Sequence, residues 1–140
     1  MVASGFWTSR TSPRVWVLPS EPASVPLVRE RLRELRSEMA ADHLDDALLA
    51  TSEVVTNAVL HGDGSVTVRV WVDGTVVRVE VADGGSAVPR PSADLGGDQA
   101  EDGRGLFIVD AVTTRWGVTP EHPGPGKTVW FELGPDDGRD

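Results

Sequence analysis

Glu53 and Asn57 stand four residues apart in the run SEVVTNAVLHG. On a helix that spacing sets a carboxylate and a carboxamide on one face, one turn apart. Mg²⁺ takes oxygen ligands and keeps several waters, so one amide oxygen and a set of phosphate oxygens suffice to hold it. Asn57 is therefore the candidate metal ligand. Glu53 is the candidate general base beside it, placed to orient or deprotonate a water or a hydroxyl. Taken alone, Glu-x-x-x-Asn is a common pattern, and a solvated polar helix face accounts for it equally well.

A second constellation, Asp83-Gly84-Gly85, follows the apolar pair Val81-Ala82. A carboxylate at a strand end accepts a hydrogen bond from an exocyclic amine such as that of adenine, and glycines let backbone approach a flat ring closely. An ordinary Asp-Gly turn has the same appearance. A third lies in Gly103-Arg104-Gly105-Leu106. Glycines that open a helix expose amide N–H groups to an anion, aided by the helix dipole, and Arg104 adds a planar donor fork for phosphate. The run is not a Walker A loop, which needs Gly-Lys-Ser/Thr after four intervening residues. Thr128, in Gly126-Lys127-Thr128, stands where it could hydrogen-bond near the Asp83 end.

Elements to position these residues are legible on either side of them. Arg14 to Leu18 reads as a strand stopped by Pro19, and Ser24 as an N-cap. Val28, Leu32, Leu35 and Met39 form one apolar stripe of a first helix. A second helix is capped by Asp42, carries Asp45 and Asp46 in its first turn, packs through Leu44, Leu48, Val55 and Val59, and stops at Gly62. Residues 66–72 alternate, and Asp73-Gly74 signals a two-residue hairpin turn. That turn pairs Val70 with Val77, Val68 with Val79 and Val66 with Val81, and sets Arg69 opposite Arg78 on a face left to solvent or an anion. Periodicity is lost from 83 to 105, and residues 91–102 read as a short acidic lid. A helix is expected to begin near Arg104, using Leu106, Val109 and Val112. The last strand, 127–133, points Val129, Phe131 and Leu133 inward. Trp71 and Trp130 on the outer sheet face, and Trp7 near the N-terminus, suggest a protein interface. The expected organisation is a flexible arm over residues 1–13, one domain over 14–133 and a disordered tail over 134–140.

Composition narrows the classes. The chain has 140 residues, a net charge of −9 and no cysteine, which excludes disulfides, thiolate catalysis and Cys-ligated zinc. Its three histidines lack metal-ligand spacing, and His61 reads as a helix-terminal structural residue. An acidic surface disfavours nucleic acid and anionic membranes and suits a basic protein partner. No apolar run approaches the roughly 20 residues that span a bilayer. No export signal opens the chain, which fits a cytoplasmic location.

In order and placement, SEVVTNAVLHG, VADGG, GRGLFIVDAV and GKTVWFEL resemble the N, G1, G2 and G3 boxes of the Bergerat-fold ATPases. That superfamily includes gyrase, heat-shock chaperones, histidine kinases and mismatch-repair ATPases. The chain looks most like its stand-alone anti-sigma-factor serine kinases of actinobacterial type. The resemblance implies an α+β fold: a two-layer α/β sandwich with a mixed, mostly antiparallel sheet and helices on one face. It implies ATP and Mg²⁺ as cofactors, with Asn57 as the metal ligand and Glu53 as general base. It makes Asp83 the adenine-reading residue, with Gly85 near the base. Gly103, Arg104, Gly105 and Leu106 fall on the phosphate side, and Thr128 matches the G3 threonine. It further implies a serine/threonine protein kinase that binds a sigma factor and phosphorylates an anti-sigma antagonist, with a homodimer left open. Two other readings stay beside it: a nucleotide-sensing binding module without phosphotransfer, and a stand-alone histidine-kinase-like ATPase domain. The short acidic lid offers no residue matching those that touch the γ-phosphate in kinase members.

Overall fold

A computed structural model describes residues 11–61, 63–85, 99–121 and 125–135, with residues 99–105 described by backbone alone. Along the chain run β1 (Arg14–Leu18), α1 (Ser24–Arg33), α2 (Ala41–His61), β2 (Val66–Asp73), β3 (Val76–Asp83), α3 (Gln99–Val112), β4 (Arg115–Pro120) and β5 (Lys127–Leu133). The strands form one sheet in the order β1-β2-β3-β5-β4. Its pairings are all antiparallel, the fully antiparallel end of the mixed sheet expected.

Strand alternation sends Val66, Val68, Val70, Val77, Val79, Val81, Val129, Phe131 and Leu133 to one face, each 3% exposed or less. The helices cover that face with Val28 and Leu32 of α1, Ala47, Ala50, Val54, Val55 and Ala58 of α2, and Val109 of α3. Each buried valine or leucine contributes about 1.5–3 kcal/mol, so this two-layer contact dominates the stability of the fold. Val15 and Val17 point the other way and are exposed.

The hairpin register differs from the expected one by two residues. Val68 faces Val81, Val70 faces Val79 and Val72 faces Val77. Asp73 still pairs, with Val76, so the turn is Gly74-Thr75. Gly74 takes φ 64°, which fits the hairpin turn class that places glycine first. The like-charge pair consequently does not form: Arg69 lies opposite Glu80 and Arg78 opposite Trp71. Arg78 is not in solvent either. It is fully buried, 4.6 Å over the Trp130 ring, with Glu80 at 3.0 Å and Glu132 at 2.5 Å. The outer face thus buries a charge beneath an indole, against the expectation that this face stays wet.

Trp130 in turn lies across Gly117 of β4. A Cβ added at Gly117 would sit 2.8 Å from the Trp130 ring. Gly117→Val is therefore expected to cost about 1–3 kcal/mol by overpacking. Chemical denaturation checks this, and an unchanged midpoint contradicts it.

Three helix starts also differ. Ser24 is the first residue of α1 and caps nothing, because its hydroxyl donates to Pro19 O at 2.6 Å. Asp42 lies inside the first turn of α2, where it still meets the dipole favourably. α3 begins at Gln99, not near Arg104. Leu35, expected on the first helix, is buried beyond the end of α1 at Arg33. Residues 1–10 of the expected arm, Gly62, residues 91–98 of the expected lid and residues 136–140 of the expected tail lie outside the described residues. Gly134, the first tail residue, is tied by its N–H to Thr114 Oγ1 at 2.7 Å.

Candidate functional site

α2 has 21 residues, about 30 Å at 1.5 Å each, and its two ends lie at different ends of the sheet. At the start, His43 contacts the position of Gly134, beside Thr75 of the β2–β3 turn. At the finish, Asp63 O, two residues past His61, accepts the Gly84 N–H at 2.9 Å. The second half of α2, carrying Glu53 and Asn57, therefore runs toward the end of β3 that carries Asp83.

Local packing sets those two side chains. Arg29 of α1 donates to Ser52 Oγ at 2.6 Å and to Leu48 O at 3.2 Å, which clasps α1 to α2 next to Glu53. Glu53 is half-buried. Asn57, one turn on, is 9% exposed and belongs to the buried side of α2.

Asp83 closes β3 on the helix-facing side, in register with the Val81 row, and is 8% exposed. Its Oδ1 accepts the Gly85 N–H at 2.7 Å, an Asx-type bond that fixes the carboxylate over its own turn. The same oxygen accepts Lys127 Nζ at 2.9 Å. Gly84 has no room for a side chain, since an added Cβ would lie 2.8 Å from Asp63 O. Gly84→Ala is thus expected to push the α2 exit away from the Asp83 turn. That shift lowers the unfolding free energy by about 1–3 kcal/mol, and a denaturation midpoint equal to the parent's contradicts it.

Thr128 is placed otherwise than expected. It lies opposite Ala82, so its side chain belongs to the outer face, away from Asp83. The residue opposite Asp83 is Lys127, 3% exposed. Sequence reasoning passed over Lys127, although strand alternation counted back from Val129 would have found it.

Gly103, Arg104, Gly105 and Leu106 sit within α3, past its first turn. The N–H groups left free in a helix are those of its first four residues, which here are 99–102. The expected helix start at the glycine pair is thereby corrected. Leu106 is buried at 1% exposure. The part of the expected lid that is described, 99–102, is helical. Asp110 near the end of α3 accepts the Trp116 indole N–H at 2.9 Å, pinning α3 to β4.

Among the described residues, no group of three or more His, Asp or Glu could hold a metal ion by itself, and no helix is long and apolar enough to cross a membrane. The structure thus gives a buried carboxylate at the end of β3, tied to a glycine turn, and a buried amide in the half of α2 that runs toward that end. Comparison with known proteins bears on it: a family model described as a histidine kinase-like ATPase domain matches residues 18–133. No curated relative matches the chain.

Proposed function

This chain belongs to the histidine kinase-like ATPase domain family, an ATP-binding, kinase-like fold, and we propose that it is a cytoplasmic anti-sigma factor with serine/threonine kinase activity. In this reading it binds a sigma factor and, with ATP and Mg²⁺, phosphorylates an antagonist protein. The observation that carries the nucleotide reading is the buried Asp83 carboxylate at the β3 end, fixed by the Gly85 N–H.

Asp83 and Asn57 fit the base and metal ends of the cofactor, whereas the phosphate-side glycines lie inside α3 and Thr128 lies on the outer face. An ionised carboxylate only accepts hydrogen bonds, which suits the exocyclic amine of adenine. Asn57 would supply a single amide oxygen to Mg²⁺, an ion that needs few protein ligands where phosphate is present. ATP with Mg²⁺, when bound, supplies a transferable γ-phosphoryl group with its charge neutralised. The chain's own part is to orient and to move a proton. Glu53, half-buried beside the α1–α2 clasp, accepts the proton of the incoming serine hydroxyl. Asn57, one turn away, would hold the metal. The net charge of −9 suits basic partner surfaces.

The test is to isolate proteins that bind the chain only with ATP and Mg²⁺, then to follow γ-labelled phosphate. Phosphoserine or phosphothreonine on such a partner supports the kinase. Tight ATP-dependent binding without transfer makes the chain a nucleotide-sensing module, and phosphohistidine makes it a histidine-kinase-like catalytic domain. Either result overturns the proposal.

A further inference from the structure

Asp83 shares its buried position with a cation. The register sets Lys127 opposite it across β3 and β5. Lys127 Nζ lies 2.9 Å from Asp83 Oδ1, with the two side chains 4% and 2% exposed. Gly126, just before, takes φ +117°, and a Cβ there would meet Asp83 O at 3.2 Å, so the start of β5 is drawn tightly against Asp83.

A buried carboxylate keeps its charge when a cation is paired with it, whereas a buried charge left alone gives way to its neutral form. The difference governs base recognition. A carboxylate only accepts hydrogen bonds, while a carboxylic acid also donates one. The first takes an amine and rejects a carbonyl; the second takes either. Oδ1 is already held by Lys127 and by the Gly85 N–H, so Oδ2 is the oxygen this reading assigns to a base.

Resting on the adenine-reading role proposed for Asp83, we infer that Lys127 is a positioning residue that sets base specificity. It keeps Asp83 an acceptor-only group and presents Oδ2 to the amine of the base. Loss of the ammonium removes discrimination between an amine and a carbonyl while the rest of the nucleotide still binds.

The experiment is calorimetry on the full chain with ATP and with ITP, whose base carries a carbonyl where adenine has its amine, both with Mg²⁺. The parent is expected to prefer ATP by about ten- to a hundredfold, the span for one buried hydrogen-bond mismatch. In Lys127→Met that ratio is expected to shrink by about tenfold or more. Lys127→Gln, which keeps a donor without the charge, should do the same, and Lys127→Arg should keep the preference. A merely structural role weakens ATP and ITP alike and leaves the ratio unchanged. An unchanged ratio in either neutral variant, shown to be folded by its melting curve, overturns the inference. If the Met variant does not fold, the Gln and Arg pair decides. A parent that binds both nucleotides equally overturns the role of Asp83 itself, and Lys127 falls with it. A discriminating parent with discriminating neutral variants overturns Lys127 alone.

Discussion

Glu53→Gln is expected to leave ATP binding intact and to slow phosphoryl transfer to the partner by about 10²–10⁴-fold, the usual span for a general base. The substitution keeps the shape of the side chain and removes its ability to take a proton. Glu53 is half-buried and stands on the same helix as the buried Asn57. Phosphoryl transfer depends chiefly on positioning and charge neutralisation, with a carboxylate orienting the attacking hydroxyl. The measurement is transfer from labelled ATP to a partner that binds in an ATP-dependent way, alongside the ATP dissociation constant of the same variant. Full transfer by the Gln variant removes Glu53 from the mechanism. A parallel loss of ATP affinity assigns Glu53 to binding instead.

Arg78→Met is expected to be the most destabilising single change on the outer sheet face. Arg78 has no exposed surface, and it pairs with Glu80 and Glu132, whose side chains are 21% and 13% exposed. Removing one member of a buried ion pair leaves the others uncompensated and costs about 3–5 kcal/mol. Arg115 remains 3.3 Å from Glu132, so one carboxylate keeps a partner, and the low end of that range applies. For a domain of this size the melting temperature should fall by about 10 °C. The fall should shrink when Glu80→Leu is added to Arg78→Met, because Glu80, paired with Arg78, is the carboxylate left orphaned. A single variant that melts with the parent, or a double variant that melts lower than the single, contradicts this account of the network.

The inner layer was legible because period-two alternation is strong where one face is dry. The valine rows of residues 66–72 and 76–81, and the inward Val129, Phe131 and Leu133 of β5, could be assigned from alternation alone. The register could not. Asp73-Gly74 reads as a turn pair, yet Asp73 retains its ladder position and glycine opens the turn one residue later. That displacement also hid the pairing of Arg69 with Glu80. β4 was passed over because Arg115-Trp-Gly-Val-Thr-Pro holds a glycine and a proline and lacks a β-branched run. Its glycine is there to accommodate Trp130, a tertiary reason invisible in a local window. The start of α3 was placed too late because Gly103 and Gly105, each about 1 kcal/mol worse than alanine in a helix, look like a boundary. Asn57 and Asp83 lie on the elements their local sequence implied, α2 and the end of β3. Thr128 carries the motif, but strand alternation gives Lys127, opposite Asp83, the face of Val129.

Titration calorimetry with ATP in the presence and absence of Mg²⁺ tests the central claim most directly. Saturable one-site binding is expected with Mg²⁺. It should weaken when the metal is chelated or when Asn57→Ala removes the amide oxygen. Asp83→Asn should erode the preference for ATP over GTP, which one buried mismatch sets at about ten- to a hundredfold. ATP left unbound in Mg²⁺ buffer, or bound with an affinity that neither substitution changes, would contradict the nucleotide site between α2 and the end of β3.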